Sequence, residues 1–151
     1  MLKSIGIEPL SEDFDKNYLH NQIKNRKSNI KTTLLNQKIV AGLGNIYVCE
    51  ALFKAKISPL REASSLTLEE TARLVDAIKI TLNDAVKEGG TTIRDYASPS
   101  GEMGYFANKL AVYGRDGEFC INSDCKSVKN NVIKKITQNN RSTFYCANCQ
   151  R

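Results

Sequence analysis

The stretch at residues 38–59, KIVAGLGNIYVCEALFKAKISP, decides how the first half of this chain is arranged. Two glycines, Gly42 and Gly44, interrupt an otherwise apolar run, which indicates a turn at that point rather than one continuous helix. A new helix is predicted to start near Asn45 and to be stopped by Pro59, because proline cannot continue a helix. The stretch therefore predicts a tight turn that leads directly into a mostly apolar helix.

Two shorter helices are predicted before this turn. The segment 11–27 has the pattern of a helix that is capped by Ser11 or Asp13, with acidic residues in its first turn and basic residues in its last. Apolar residues recur in it at helical spacing and are expected to form a buried stripe: Phe14, Tyr18 or Leu19, and Ile23. A second, short helix is predicted at 29–36.

The longest predicted helix follows the turn. Thr67 and Glu70 form the T-x-x-E pattern of a capping box, which marks the beginning of a helix. Gly89 and Gly90 are expected to end it. Between them, apolar residues follow at steps of three and four: Val75, Ile78, Leu82 and Ala85. This periodicity indicates a helix that packs on one side and turns its acidic side to solvent.

The rest of the chain reads differently. Residues 91–106 contain Gly, Ser and Pro without a clear period and are predicted to form a long loop, which in compact domains is commonly functional or disordered. After it, three segments look like short strands: 109–120, 131–138 and 141–146. The predicted fold class is therefore mainly α with a small β appendage.

Four of the five cysteines are grouped in this β appendage. Cys120 and Cys125 form one pair, and Cys146 and Cys149 form another. Four thiolates on short strands suit a structural Zn²⁺ site, and metal binding supplies folding free energy to a unit too small to bury a core. Two disulfides or a redox-active Cys-x-x-Cys are the alternatives. Cys49, the fifth cysteine, lies in an apolar run and is expected to be a small core residue.

Composition limits the classes of protein further. No apolar run approaches the length of a membrane span, and the N-terminus lacks the pattern of a secretory signal, so we expect a cytoplasmic protein. The net charge is +6 at pH 7. It is positive over 1–60, negative over 61–104 and positive again over 105–151, so both basic ends can share one face of the fold. Such a face suits a polyanion, although a solvated surface without a partner has the same charge pattern.

Six sequence runs together resemble the C-terminal half of a bacterial formamidopyrimidine-DNA glycosylase. They occur in order along nearly the whole chain: EPLSEDFDKNYLH, IKTTLLNQKIVAGLGNIYVCEALFKAKISP, GGTTIRDY, GYF, VYGRDGEFC and RSTFYCANCQR. That family excises oxidised purines such as 8-oxoguanine and formamidopyrimidine and then cleaves the DNA strand. The resemblance implies a helix-two-turn-helix DNA-binding domain at 1–106, with a lesion-capping loop at 91–105. It also implies a zinc-finger β-hairpin at 107–151 that holds one structural Zn²⁺ through Cys120, Cys125, Cys146 and Cys149.

The resemblance also assigns roles to individual residues. Asn45 matches a phosphate-binding asparagine, and Lys31 matches a lysine that contacts the lesion strand. Arg26 and Lys27 fall where the family has another DNA-contacting basic residue. Arg141 matches the zinc-finger arginine, which binds phosphate beside the flipped nucleotide and is assigned to the second, δ-elimination step. One further segment matches the loop that closes over the extruded base: Ile93, Arg94, Asp95 and Tyr96.

Two departures from the family pattern affect the expected function. Four residues, not two, separate Cys120 from Cys125. The family's nucleophile is an N-terminal proline amine, whereas this chain begins Met-Leu-Lys and Pro9 is internal. No counterpart of the family's N-terminal catalytic domain is found in the sequence. We therefore expect a fragment that binds damaged DNA without excising bases by itself.

The expected partner is damaged double-stranded DNA, bound by a monomer that depends on the missing N-terminal domain for chemistry, with no membrane involved. By the resemblance the location is the bacterial cytoplasm, in association with the nucleoid. Whether this chain alone is an enzyme stays open. The alternative is a stand-alone, non-catalytic nucleic-acid-binding zinc protein that uses the same module.

Overall fold

The computed structural model describes residues 6–87, 110–122 and 131–151. Within these residues the helices are α1 (Lys16–Ile23), α2 (Ile30–Leu34), α3 (Asn45–Ala55) and α4 (Leu68–Lys87), and a 3₁₀ turn lies at Ala63–Ser65. Two strands, β1 (Lys134–Gln138) and β2 (Arg141–Tyr145), form an antiparallel pair. The prediction of a mainly helical chain with a small β appendage is confirmed for this part of the sequence.

Helix α1 is shorter than predicted, and its predicted caps are wrong. The cap is Asp15, whose side chain accepts a hydrogen bond of 2.8 Å from the backbone N–H of Tyr18. Ser11 belongs instead to a preceding turn, in which its carbonyl accepts the N–H of Phe14 at 3.2 Å. Phe14 is nevertheless completely buried, so the apolar stripe starts before the helix does. Helix α2 lies inside its predicted range and is capped by Asn29, which accepts from the N–H of Thr32 at 2.7 Å.

Helix α3 begins at Asn45, as the glycine turn predicts, but Pro59 does not end it. The turn itself needs Gly42, which has a φ of 75°, in the region that favours glycine. At the other end, Lys56 adopts a left-handed conformation with a φ of 62°, and the N–H of Ile57 bonds to the carbonyl of Leu52 at 3.0 Å. The helix is thus closed by its own terminal hydrogen bonds, before the chain reaches the proline.

Helix α4 has the predicted capping box. The N–H of Thr67 donates to the carboxylate of Glu70 at 3.0 Å, and the N–H of Glu70 donates to the hydroxyl of Thr67 at 3.1 Å. The predicted stop at Gly89 and Gly90 lies outside the described residues. The predicted packing side is buried or half-buried in the structure, at Val75, Ile78, Leu82 and Ala85. The acidic residues Glu69 and Asp76 are exposed.

The four helices enclose one apolar cluster, to which each contributes. Its fully buried members include Phe14, Leu19, Ile30, Leu52 and Leu74. A second cluster joins α3 to the C-terminal part of the chain. It contains Cys49, Phe53, Val112, Cys120, Ile133, Phe144 and Cys146. The prediction that Cys49 is a core residue is confirmed, since its exposed fraction is 1%. The C-terminal unit is therefore packed against the helical part.

The strand prediction at 109–120 is wrong for its described part, which consists of turns and one isolated bridge, between Phe119 and Val132. Gly114 and Gly117 both have a positive φ, at 77° and 86°, which breaks the extended path. In contrast, β1 and β2 form a regular hairpin. Its turn, Asn139–Asn140, has φ values of 49° and 64° in the left-handed region that two-residue hairpin loops require.

The predicted loop at 91–106 and the predicted boundary between 106 and 107 lie outside the described residues. In the described part of the chain, no helix has both the length and the apolar character that crossing a bilayer requires.

Candidate nucleic-acid interface and metal cluster

The start of strand β2 is held against helices α2 and α3 by two side chains. The backbone carbonyl of Ser142 accepts a hydrogen bond from Lys31 Nζ at 3.0 Å and another from Asn45 Nδ2 at 3.0 Å. Lys31 Nζ also donates to Thr143 Oγ1 at 2.6 Å. The structure therefore brings together three residues far apart in sequence that the resemblance assigns to DNA contact, namely Lys31, Asn45 and Arg141, the last being the neighbour of Ser142.

Lys31 is an enclosed cation. Its exposed fraction is 1%, and it lies on α2 with its side chain directed at the hairpin. Burial lowers the pKa of the Lys31 ammonium, because desolvation disfavours its charged form, and the nearby Arg141 guanidinium lowers it further. The expectation that Lys31 contacts the lesion strand stays a prediction. The burial of Lys31 does not favour direct contact with DNA.

Arg141, in contrast, is exposed at the first position of β2. Its cross-strand partner is Gln138, whose Nε2 donates to the carbonyl of Pro59 at 3.0 Å. The backbone of Arg141 is therefore fixed from both sides, by Gln138 across the strand pair and by the bonds to Ser142 after it. A fixed backbone below an exposed guanidinium is a suitable arrangement for binding an anion.

The N-terminus of α3 lies beside this arginine's strand. The first bond of the helix runs from the N–H of Val48 to the carbonyl of Gly44 at 3.0 Å, so the N–H groups of Asn45 and Ile46 lack an acceptor within the helix. The Asn45 amide group has a second N–H besides the one used by Ser142. The backbone N–H groups and the positive end of the helix dipole favour a bound anion at a helix N-terminus.

Arg26 and Lys27 form no hydrogen bond with Lys31, Asn45 or Arg141 within the described part of the chain. Both side chains are exposed in the segment after α1, and Arg26 Nε donates to the carbonyl of Gln22 at 3.1 Å. The expected base-capping residues Ile93, Arg94, Asp95 and Tyr96 fall outside the described residues.

Three of the four expected metal ligands are brought together. The Sγ atoms of Cys120, Cys146 and Cys149 lie within 4.8 Å of one another, and those of Cys120 and Cys149 are 3.7 Å apart. Zn–S bonds of about 2.3 Å in a tetrahedron place the sulfurs roughly 3.8 Å apart, so the spacing fits a metal centre. Burial raises the pKa of the Cys120 thiol, and the neighbouring thiols of Cys149 and Cys146 raise it further. A bound cation would reverse that shift. Cys125 lies outside the described residues.

Sequence reasoning missed several residues that hold these parts in place. Glu50 is a buried carboxylate on α3 that accepts three consecutive backbone N–H groups, from Ala111 at 2.7 Å and from Val112 and Tyr113 at 2.9 Å each. Buried Gln150 links the N–H of Cys146, at 2.8 Å, to the carbonyl of Ile57, at 3.0 Å. A signal for Glu50 was available, since it is a single charge inside the apolar run NIYVCEALF.

The helical fold matches that of a helix-two-turn-helix domain. A family profile described as "Formamidopyrimidine-DNA glycosylase H2TH domain" matches residues 5–97, well over half of the chain. The chain therefore belongs to the formamidopyrimidine-DNA glycosylase family, and the resemblance noted from its sequence runs is confirmed.

Relatives and solved structures agree with this assignment. The chain is 50% identical over 147 residues to a formamidopyrimidine-DNA glycosylase of Wolbachia pipientis, a match that covers 97% of this chain and 52% of the relative. It is 46% identical over 156 residues to that of Nitrobacter winogradskyi, covering 99% and 52%. The chain spans about half the length of the curated relatives it matches.

The Fpg of Lactococcus lactis, solved in a complex with DNA that contains an abasic site, superposes with a TM-score of 0.82 at 40% identity, covering 99% of this chain and 53% of that one. Fpg from Thermus thermophilus superposes with a TM-score of 0.80 at 36% identity, covering 97% and 54%.

Proposed function

We propose that this chain is the DNA-binding half of a base-excision-repair glycosylase and AP lyase that acts on oxidised purines. The observation that carries the proposal is that Asn45, the first residue of α3, bonds to the carbonyl of Ser142, the residue directly after Arg141. An exposed guanidinium, an amide with a spare N–H and two helix amides without an intrahelical acceptor are donors suited to one backbone phosphate.

Damaged duplex DNA is the proposed partner. The superposed Lactococcus lactis Fpg was solved with abasic-site DNA and also with DNA that contains Fapy-dG, which supports this choice of ligand. Arg26 and Lys27 are proposed as a second, separate set of phosphate contacts, since both are exposed and basic. The segment Ile93–Tyr96 is proposed as the part that closes over the extruded base, because a base must leave the stack before its glycosidic bond can be reached.

We further propose that the C-terminal unit, 107–151, is a zinc ribbon with Cys120, Cys125, Cys146 and Cys149 as ligands. The three neighbouring sulfurs support it, and Cys125 would complete the tetrahedron. Four protein ligands leave no open coordination position, so the metal's part is structural. It would hold the hairpin that carries Arg141.

Excision by the whole enzyme is a separate part of the proposal. In the resembling family the nucleophile is a terminal proline amine, and this chain covers only about half the length of its relatives. Arg141 is proposed to assist the later δ-elimination by holding the phosphate. This chain is accordingly proposed to bind damaged DNA and to leave glycosidic bond cleavage to residues beyond it.

The test is a gel shift of the zinc-loaded chain on a duplex with an abasic site, combined with borohydride trapping of any Schiff base. A shift without a covalent adduct is expected. Failure to shift the duplex would overturn the DNA-binding proposal. A strong covalent adduct would mean that this chain carries its own amine nucleophile, which contradicts its assignment as the non-catalytic half.

Arg141→Ala is expected to weaken DNA binding for all sequences and to lower the slope of log affinity against log salt by about 1, because one phosphate contact is lost. The salt dependence of the dissociation constant measures this. Lys54→Ala, which removes an exposed charge near the other end of α3, is the matched control and should leave the slope nearly unchanged. An unchanged slope in Arg141→Ala would remove this arginine from the phosphate contacts.

A further inference from the structure

Lys31 has the chemistry of a phosphate ligand but not its position. The residue is 1% exposed, and its ammonium group donates to two atoms of the hairpin, the Ser142 carbonyl and Thr143 Oγ1. An enclosed ammonium is stable only when it is hydrogen-bonded, so these two short contacts are what allow the charge to remain inside. Reaching a phosphate would require Lys31 to leave both of them.

The atoms that Lys31 holds are next to the exposed arginine. Ser142 follows Arg141 directly, and the next residue, Thr143, is buried. Asn45 also donates to the Ser142 carbonyl, so the helix N-terminus and the hairpin share one fixed point. Loss of Lys31 would leave that carbonyl with a single side-chain donor, from Asn45, and would loosen the attachment of the backbone next to Arg141.

We propose that Lys31 is a positioning residue for the phosphate grip of Arg141 and does not itself bind phosphate. Its ammonium group fixes β2 to α2, so that the backbone of Arg141 is held beside the α3 N-terminus before DNA arrives. Preorganisation of this kind lowers the entropy lost on binding, since the arginine's backbone is already ordered. This inference rests on the proposed DNA-binding function and reassigns one residue within it.

The two roles predict different salt slopes and different couplings. A direct phosphate ligand contributes its own counterion release, so its loss lowers the slope by about 1 whether or not Arg141 is present. A positioning residue acts only through Arg141. Its loss therefore weakens DNA binding in the native chain and has little effect once Arg141 has been removed. The effects of the two substitutions are then non-additive.

The experiment measures the salt-dependent dissociation constant of the zinc-loaded chain on a duplex with a stable abasic-site analogue. Four proteins form the cycle: the native chain, Lys31→Met, Arg141→Ala and the double variant. We expect Lys31→Met to weaken binding about tenfold in the native chain but less than about twofold in the Arg141→Ala background. The double variant should have the same salt slope as Arg141→Ala. Lys54→Met, at an exposed position of the neighbouring helix α3, is the control for removal of one lysine charge.

Thr143→Val keeps every charge and removes only the Oγ1 acceptor, so it protects the test against a Lys31→Met chain that fails to fold. It should weaken binding in the same Arg141-dependent way, with zinc content and circular dichroism unchanged. Equal losses in both backgrounds, or a further fall of the slope by about 1 in the double variant, would overturn the positioning role. A native chain that does not bind the duplex at all would instead overturn the proposed function, so the two failures are distinguishable.

Discussion

At the scale of single residues, buried charged side chains join the parts of this chain. Glu50 is the clearest case, because its two carboxylate oxygens accept the N–H groups of three successive residues, Ala111–Tyr113. It lies on the same helix as Asn45. This buried carboxylate thus fixes the segment that precedes Cys120 to α3. The N-terminus of the same helix is the proposed phosphate site.

Glu50→Gln tests this arrangement. Glutamine has one acceptor oxygen in place of two, and either orientation of its amide leaves at least one of the three backbone N–H groups without a partner. An unsatisfied buried donor costs about 1–3 kcal/mol, so the free energy of unfolding in urea should fall by that amount. Hydrogen exchange at Ala111, Val112 and Tyr113 should become faster. Glu69→Gln, which changes an exposed carboxylate on α4, is the control and should alter neither measurement.

At the scale of elements, the helices end where local hydrogen bonds end them. Glu70 has two roles at the beginning of α4. It completes the capping box with Thr67, and its carboxylate accepts two hydrogen bonds from Arg61, at 2.6 and 3.0 Å. Arg61 also donates to the carbonyl of Ser65 at 2.8 Å, so the 3₁₀ turn is fastened to the same carboxylate. The hydrogen bond from Arg61 lowers the pKa of Glu70 from 4.5 to about 2.

Glu70→Gln keeps the capping-box geometry, which glutamine also satisfies, and removes the ion pair. Because the folded-state pKa of Glu70 is lowered, the ion pair contributes stability above the ordinary value of 4.5 and loses it as pH falls towards about 2. Because the ion pair is partly exposed, the free energy of unfolding of the native chain should exceed that of the variant by no more than about 1 kcal/mol at neutral pH.

Urea unfolding of both proteins at pH 7 and pH 3 measures this, with any acid-induced loss of metal common to both. The difference should shrink as the pH is lowered. A difference of constant size would mean that the Arg61–Glu70 pair does not account for it.

At the scale of the whole molecule, the C-terminal unit is attached to the helical part through α3, the residues that follow it and Lys31 of α2. Beyond the contacts of Glu50 and Ser142, Gln150 bonds to the carbonyl of Ile57 and the N–H of Arg151 bonds to that of Lys56 at 3.2 Å. The apolar cluster shared between the two parts contains three cysteines. A cluster of that composition gives limited apolar burial, so we expect the C-terminal unit to depend on the metal proposed to be bound there.

Removal of zinc with a chelator is therefore expected to unfold the C-terminal unit and to leave the helices largely intact. Circular dichroism should retain most of its helical signal, whereas the amides of β1 and β2 should lose their protection from hydrogen exchange. Re-addition of zinc should restore it. Unchanged hairpin protection after complete zinc removal would contradict the ribbon, and a simultaneous loss of α1 and α4 would contradict the separation of the two parts.

The helices could be predicted because each depends on nearby residues. The T-x-x-E box at Thr67, the glycine turn before Asn45 and the apolar periodicity of α4 all act over one or two turns of chain, and each is found in the structure. The α1 cap could not be selected in the same way, since Ser11, Asp13 and Asp15 all have capping side chains. Only the turn closed by Ser11 and Phe14 makes Asp15 the first residue able to cap.

By itself, the sequence determined the family, the cysteine pairs, the helical class and most of the helix beginnings, because these follow from motifs and from interactions between neighbours along the chain. Tertiary structure alone decided that 110–120 forms turns instead of a strand, since those turns are bound to Glu50 more than sixty residues away. It also decided the place of Lys31. From sequence alone, a lysine is expected to be exposed. Only the contact with Ser142 and Thr143, close to the other end of the chain, supplies the acceptors that let the charge of Lys31 stay buried.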